Sequence, residues 1–398
     1  MDPAPLGRSS HRTPAATTVS KPKVLAFIDW YKPYFKAGGP VRSLVNLVDH
    51  LGDRVDFHIV TSDRDYVALS NELGVPTDQW TTAEAAEQVW YASPQGRSAQ
   101  VWRSILYEEV WDVVYINGLY SRWSTIVPLW LLRGTAQRRI VAVRGMLAAG
   151  PMRQGAFKKG VFLRAMKALG CFKGVEFQAT NAEEVEDIHR WIGRDVKVHV
   201  VQNLARMVTS TAPPAIVKIP GMLKLVSLAR IAEEKNTLFA IERLAKVHGK
   251  VHFDLYGTVY DEAYFSRCKA AIAILPEGIE VVWHGQLPNE EGVRVLTDSH
   301  ALFMPSVGEN FGHTMLEALS VGRPLVISDR TPWKQLEASS AGWDLPLEVP
   351  DRFTDVLQHL VDMDQTIYDR LVGGAYALGS RYLNDTVPVE LNFAMFQR

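Results

Sequence analysis

Short apolar runs alternate with amphipathic stretches along nearly the whole of this chain, and the alternation comes in two series. The first series contains Lys23–Ile28, Phe57–Thr61, Val89–Ala92, Val113–Ile116, Arg139–Val143, Val175–Ala179 and Val196–Val201. Runs this short and this apolar are strands covered on both faces. Between most of them lie helical patterns. Pro40, for example, opens a segment with Val41, Leu44, Val45, Val48 and Leu51 on one face. Strands that alternate with helices build a parallel sheet with helices on both sides.

Residues 208–220, with Pro213, Pro214 and Pro220, break this rhythm and read as a linker. A second series follows: Leu223–Leu228, Val251–Tyr256, Ile279–Trp283, Ala301–Met304 and Leu325–Ile327. The expected fold is therefore α/β, two Rossmann-like domains facing each other across a cleft. Their expected limits are residues 21–212 and 213–375. Residues 376–398 continue a helical stretch, and Phe393, Met395 and Phe396 require that this segment pack somewhere. Residues 1–20, rich in Pro, Ser, Thr and Ala without an apolar core, read as a disordered tail, neither signal peptide nor anchor.

Composition narrows the function. A chain of 398 residues is long enough for two domains. With a formal net charge of −1 it has no general pull toward nucleic acid or membrane. Two distant cysteines, Cys171 and Cys268, give neither a disulfide framework nor a zinc site, which fits a reducing cytoplasm. No run reaches the ~18 apolar residues of a bilayer span.

The densest chemical information lies in Pro305-Ser-Val-Gly-Glu309-Asn-Phe-Gly312-His313-Thr314-Met-Leu-Glu317, ahead of the apolar run from Pro324. Two carboxylates bracket a glycine-containing turn and the start of a helix. Carboxylates take paired hydrogen bonds from sugar hydroxyls. A helix N-terminus supplies free N–H groups and partial positive charge to a phosphate. Together they suit a nucleotide-sugar. Thr314-Met-Leu-Glu317 also has the spacing of a capping box, in which Glu317 merely satisfies the helix start. The strand before the motif places it at a carboxyl edge of the sheet, where ligands of such folds bind.

Arg230 and Lys235, beyond the run ending at Leu228, add a cation pair. One cation at ~4 Å attracts a phosphate charge by about 4 kcal/mol at an effective dielectric near 20. Two cations and a helix terminus can therefore stand in for a divalent metal. Pairing with the surface acids Glu233 and Glu234 is the plainer alternative. Gly38-Gly39-Pro40 and Tyr256-Gly257-Thr258 follow strands and allow either close phosphate approach or a simple turn. Arg144, before Gly145-Met146, faces the cleft and suits either substrate or a neighbouring carboxylate. Asp63-Arg64-Asp65 has an Asp-x-Asp metal pattern but no third ligand nearby in sequence, and a solvated loop is the better expectation. Lys158, Lys159, Arg164, Lys167 and Lys173 interleave with Phe157, Val161, Phe162, Leu163, Met166, Leu169 and Phe172. Residues 157–173 thus form either an ordinary helix with a charged outer face or a peripheral contact with anionic lipid.

On these residues the chain resembles family 4 of the retaining glycosyltransferases, which have the two-domain GT-B architecture. The resemblance runs from about Val24 to Leu378. It rests on Gly38-Gly39-Pro40, Arg144-Gly-Met-Leu147, Ala179-Thr-Asn-Ala-Glu-Glu184, Asn203, Arg230 with Lys235, and above all Glu309 with Glu317. It implies that Arg230 and Lys235 bind the donor diphosphate with backbone amides near His313 and Thr314. Glu309 would hold the transferred sugar in a pocket shaped by Asn310, Phe311 and Gly312, and Glu317 the ribose. Gly38, Gly39, Asn117, Arg144 and Gly257 would complete the donor site, and the base would lie near Gly285, Gln286 and Leu287. The first domain would take the acceptor, and the C-terminal helix would cross back onto it.

One departure stands out. Asn117 aligns where many relatives carry a histidine, and asparagine can bind a sugar hydroxyl but cannot act as a base.

The implied activity is a metal-independent, cofactor-free transfer of a hexose-type sugar from a UDP- or GDP-sugar to a glycan or lipid-linked glycan, in surface polysaccharide synthesis. The implied location is the cytoplasm, at the inner face of the membrane if residues 157–173 touch lipid. Two other readings stand beside it: a nucleotide-sugar epimerase, which needs an acid–base pair that the sequence does not place, and a catalytically silent GT-B subunit that binds nucleotide or glycan.

Overall fold

The computed structural model describes residues 20–66, 68–153, 155–207, 212–287 and 291–397. The expected N-terminal tail lies outside them apart from Ser20, as do residues 208–211 of the expected linker.

Among the described residues, fourteen strands form two sheets. The first holds β1 (Lys23–Phe27), β2 (Asp56–Ser62), β3 (Trp80–Thr82), β4 (Gln88–Ala92), β5 (Val113–Asn117), β6 (Arg139–Ala142), β7 (Val175–Ala179) and β8 (Val198–Val200). Their order is β3-β4-β2-β1-β5-β6-β7-β8, all parallel except the β3 edge. The second holds β9 (Met222–Leu228), β10 (Lys250–Tyr256), β11 (Ile279–Trp283), β12 (Ala301–Met304), β13 (Leu325–Ser328) and β14 (Gly342–Leu345), in the order β11-β10-β9-β12-β13-β14. Strand order reverses between β1 and β5, and again between β9 and β12. Crevices at such switch points are where open α/β sheets bind ligands.

Alternation along each strand feeds two faces. Leu25 and Phe27 enter the core on one side of the first sheet with Val60, Ile116 and Phe177. Val24 and Ala26 enter the other with Leu44, Ile59 and Tyr115. The second sheet repeats this pattern, with Leu225, Phe253 and Phe303 on one face and Val226, Leu302 and Ile327 on the other.

The helix Gln365–Leu383 lies on the helix His313–Ser320. At Gly379 the approach is so close that a Cβ would sit 2.6 Å from the Leu319 carbonyl carbon. The next helix, Val387–Phe396, crosses to the first domain. There Phe396 meets Phe57 and Tyr115, Arg54 pairs with Glu390 at 2.6 Å, and Asn392 donates to the Gln202 carbonyl at 2.9 Å.

Two elements differ from expectation. β3 and β14 carry no apolar run, because one is a three-residue antiparallel edge and the other opens on Gly342 and includes Asp344. The described part of the expected linker is packed, not free. Lys218 is buried and donates to the carbonyls of Ile219, Val361 and Met363 at 3.0–3.1 Å.

His300, just before β12, predicts an acid-sensitive fold. Its Nδ1 accepts from the Lys224 N–H at 2.8 Å, and its Nε2 lies 3.0 Å from the Val217 carbonyl. Burial pushes its pKa down to about 4. The folded state thus keeps the ring neutral, while the unfolded chain takes a proton near its usual 6.5. Stability is full above pH 6.5 and declines as pH falls toward 4. The loss from this one group reaches about 2 kcal/mol by pH 5. Thermal midpoints at pH 7 and pH 5 should therefore separate more in wild type than in His300→Gln.

Candidate active site

The chain leaves β9 at Leu228 and returns through Arg230 to a single turn of 3-10 helix, Glu233–Lys235. Its neighbour β12 ends at Met304 and runs into Pro305–Phe311. Because β9 and β12 are paired, these two loops are held side by side. Val307 N–H donates to the Glu234 carbonyl at 2.9 Å. Lys235 Nζ sits 2.5 Å from Glu309 Oε1, and Ser306 Oγ donates to the same oxygen at 3.1 Å. Both charged side chains are largely sheltered, with exposures of 18% and 13%. Sheltering matters because a charge pair screened from water keeps more of its attraction.

Arg230 takes the plainer of its two expected partners. It donates to Glu234 at 3.2 Å and lies 5.3 Å over the Tyr260 ring.

Gly312 turns the chain into the helix His313–Ser320 from a left-handed conformation, φ 76°. A Cβ there would come within 2.8 Å of Met315 Sδ and 3.1 Å of Trp333 Nε1, so glycine is required twice over. Trp333 in turn donates to the Phe311 carbonyl at 2.9 Å, which fixes the turn. With Gly312 as the cap and no side-chain cap bond, the first N–H groups of the helix, at His313 and Thr314, have no intrahelical partner. Thr314 Oγ1 donates to the Leu228 carbonyl at 3.3 Å. Glu317 therefore lies in the second turn, and the capping-box alternative fails for that reason. Both its carboxylate oxygens instead lie 3.1 Å from Arg42 Nη1 of the first domain.

Two further bonds cross between the domains. His313 Nε2 lies 3.0 Å from Ser43 Oγ, and Asn310 Oδ1 accepts from Thr180 Oγ1 at 2.9 Å. Desolvation, with the cations Arg42 and Arg144 nearby, pushes the His313 pKa down to about 3, so its ring is neutral.

On the first-domain side, Asn117 ends β5 and Arg144 follows β6 in a left-handed conformation, φ 53°. The Arg144 guanidinium turns inward. It donates to Asn117 Oδ1 at 2.8 and 3.2 Å, to Tyr115 Oη at 2.8 Å, and to Asn203 Oδ1. Among the described residues Arg144 thus holds amide and phenol oxygens and no carboxylate. Since arginine only donates, Asn117 presents its oxygen to Arg144 and turns its amide NH2 away. Among the described residues that buried Nδ2 has no hydrogen-bond partner. Glu184 braces the next peptide, accepting from Gly145 N–H at 2.5 Å and from Thr180 N–H at 2.7 Å.

Gly38 and Gly39 open the helix Gly39–Leu51, and a Cβ at either would meet nothing within 4 Å. Gly257 N–H donates to the Gly285 carbonyl at 2.7 Å, joining the loops after β10 and β11. Leu287 packs on the second-domain core.

Asp63 and Asp65 are buried, not solvated as expected. Asp63 pairs with Arg64 at 2.8 Å, and Asp65 accepts from the N–H groups of Phe35, Lys36 and Tyr66. Among the described residues no group of three or more His, Cys, Asp or Glu is placed to hold a metal ion. In the helix Ala156–Ala168, Leu163 and Met166 are buried, while Phe157 is 83% exposed beside exposed Lys158, Arg164 and Lys167. Among the described residues no helix is long and apolar enough to cross a membrane.

The structure therefore brings Lys235, Glu309, Asn310, Gly312, His313, Thr314 and Glu317 to one switch-point crevice. Thr180, from the Ala179-Thr-Asn-Ala-Glu-Glu184 segment, joins them from the opposite domain, as do Arg42 and Ser43, which had no motif to announce them. Their only sequence signal is polarity on otherwise apolar elements.

Comparisons with known proteins agree with this architecture. Residues 213–360 match the family model described as glycosyl transferases group 1. The lipopolysaccharide 1,6-galactosyltransferase of Salmonella typhimurium is 24% identical over 193 residues, 48% of this chain and 49% of that protein. The chain thus spans about half the length of this curated relative. Sucrose-phosphate synthase of Thermosynechococcus elongatus superposes with a TM-score of 0.68 at 13% identity, covering 94% of this chain and 97% of that one. Anabaena HepE, solved with UDP and glucose, gives 0.66 at 15% identity, covering 94% and 98%. The fold is GT-B, with the C-terminal helix returned to the first domain.

Proposed function

We propose that this chain is a glycosyltransferase of lipopolysaccharide or surface polysaccharide assembly. More finely, it is read as a retaining, metal-independent hexosyltransferase that uses a UDP-sugar. The carrying observation is the Lys235–Glu309 pair, 2.5 Å apart on adjacent loops beside the N-terminus of the His313–Ser320 helix. An ammonium and a helix terminus suit a diphosphate, and the carboxylate beside them suits sugar hydroxyls. Complexes of HepE with UDP and glucose favour UDP over GDP.

In this reading the acceptor oxygen attacks C1 on the face that the diphosphate leaves. The C1–O bond to phosphate breaks as the new C1–O bond forms, and the departing phosphate oxygen takes the acceptor proton. Lys235, Arg230 (once it lets go of Glu234) and the N–H groups of His313 and Thr314 stabilise the charge that grows on the diphosphate. Asn117 offers an oriented neutral donor to the sugar, and Glu317 exchanges Arg42 for the ribose hydroxyls. The exposed Phe157 with Lys158, Arg164 and Lys167 supports contact with an anionic membrane surface, where a lipid-linked acceptor would lie.

The test is turnover of UDP-glucose and UDP-galactose in EDTA, followed by mass spectrometry and NMR of the product anomer. Transfer with the donor's α configuration kept, and at least about a hundredfold lost in Glu309→Ala, is expected. Metal-dependent turnover, or an inverted product, defeats the finer reading. A silent subunit has two observations in its favour, because Arg42 already occupies Glu317 and Glu234 already occupies Arg230. UDP binding without turnover across hexose donors would select it.

A further inference from the structure

Three aromatic side chains from the two domains meet beyond the carboxyl ends of their strands. Trp30 follows β1, Tyr66 follows β2, and Tyr260 follows β10. Trp30 meets Tyr66 edge-on, with centroids 5.1 Å apart and planes at 89°. Tyr66 and Tyr260, from opposite domains, lie parallel within 6° at 6.3 Å. Tyr260 is 55% exposed and carries the Arg230 guanidinium over its ring.

The loops under the first-domain pair are tied from below. Asp65 accepts from Phe35, Lys36 and Tyr66 N–H groups at 3.3, 3.1 and 2.7 Å. Tyr34 Oη donates to the Asp63 carbonyl at 2.6 Å, and Ser62 N–H to the Asp29 carbonyl at 3.2 Å. Asp29 is itself held by the hydroxyls of Ser121 and Ser124 at 2.5 and 2.7 Å. None of these bonds uses an aromatic ring of the trio. The Asp-x-Asp motif, with no metal role to fill, thus belongs to a scaffold that holds two ring faces ready.

A parallel pair at 6.3 Å is near the long end of aromatic contact, so the two ring faces attract each other weakly, and the phenol groups interact through a side-chain hydrogen bond as well. A pyranose has one flat face of C–H groups and a rim of hydroxyls. Its C–H face matches the electron-rich face of an aromatic ring, and its rim matches phenol and guanidinium groups. The trio offers both. It also lies next to Arg230, on the phosphate side of the cleft, while the base in the proposed site lies past β11.

We propose that Trp30, Tyr66 and Tyr260 form the subsite that stacks the terminal hexopyranose of the acceptor. This rests on the glycosyltransferase reading above.

The test uses the full chain saturated with UDP, and octyl β-glucopyranoside and octyl β-galactopyranoside as probes. Saturation-transfer NMR and titration should show binding of at least one glycoside, weakened about tenfold in Tyr66→Ala and in Trp30→Ala. UDP affinity should stay within about twofold in both variants, and Tyr66→Phe should lose no more than about threefold in glycoside affinity, since the ring carries the stacking and the phenol adds only one hydrogen bond at the rim. A purely structural role would shift UDP and glycoside binding together and would overturn the proposal. So would loss of UDP binding alone, which would assign the rings to the base, or glycoside affinity indifferent to the rings, or no glycoside binding in wild type. If glycosides bind through the rings but no UDP-sugar turns over, the activity reading fails and the subsite stands.

Discussion

Lys235→Ala should lower kcat/KM for the sugar donor by about a hundredfold to a thousandfold, the range for removing one preorganised group from a developing anion. The expectation follows from position. Lys235 projects from a 3-10 turn pinned through the bond from Val307 to the Glu234 carbonyl, so its ammonium is aimed before the donor arrives. Its ordering costs nothing at the moment of reaction. Loss should appear mainly in kcat, because charge on the diphosphate is greater at the transition state than in the bound donor. Lys235 and Glu309 touch, so their effects should not add. The double variant Lys235→Ala/Glu309→Ala should be scarcely slower than the worse single variant. Steady-state rates for the four proteins decide the matter. A Lys235→Ala enzyme within about threefold of wild type removes this residue from the reaction.

That prediction could be begun from sequence but not finished there. Apolar runs showed most of the sheet because fully covered parallel strands are apolar without interruption, and the same rule hid β3 and β14, which are short and partly polar. Arg230, Lys235 and Glu309 were legible as residues at strand ends. Their pairing was not. Lys235 meets Glu309 because β9 and β12 are neighbours, and strand order is a property of the assembled sheet. Arg230 found the local acid Glu234 that spacing alone suggested. Glu317 satisfied the spacing of a capping box, yet the helix is capped at Gly312, whose left-handed turn no spacing rule reports. Asp63 and Asp65 read as solvated because their own segment supplies only a neighbouring arginine and a backbone N–H and no apolar cover. The loop after β1, brought over by long-range folding, buries both. Arg42 and Ser43 gave no signal beyond their polarity, since their partners belong to the opposite domain.

Phe396→Ala should destabilise the first domain by about 3–5 kcal/mol, the cost of emptying a well-packed phenylalanine site. Phe396 is fully buried, and its ring meets Phe57 at 5.8 Å and Tyr115 at 5.4 Å, both edge-on at 88°. Neither partner can collapse into the gap without leaving its strand, so little of the cavity should close. Phe396→Leu, which keeps most of the volume, should cost markedly less. The consequence reaches the crevice through Tyr115, whose hydroxyl donates to Gln178 at 2.5 Å and accepts from Arg144 at 2.8 Å. Arg144 in turn sets the amide of Asn117. A helix from the far end of the chain therefore supports, from beneath, the first-domain wall of the candidate site. Because its ring enters only the first-domain core, calorimetry of Phe396→Ala should show the first-domain transition moving down while the second-domain transition stays. Two transitions that fall together would mean that the domains unfold as one unit, and the crossing helix would then bind them into it.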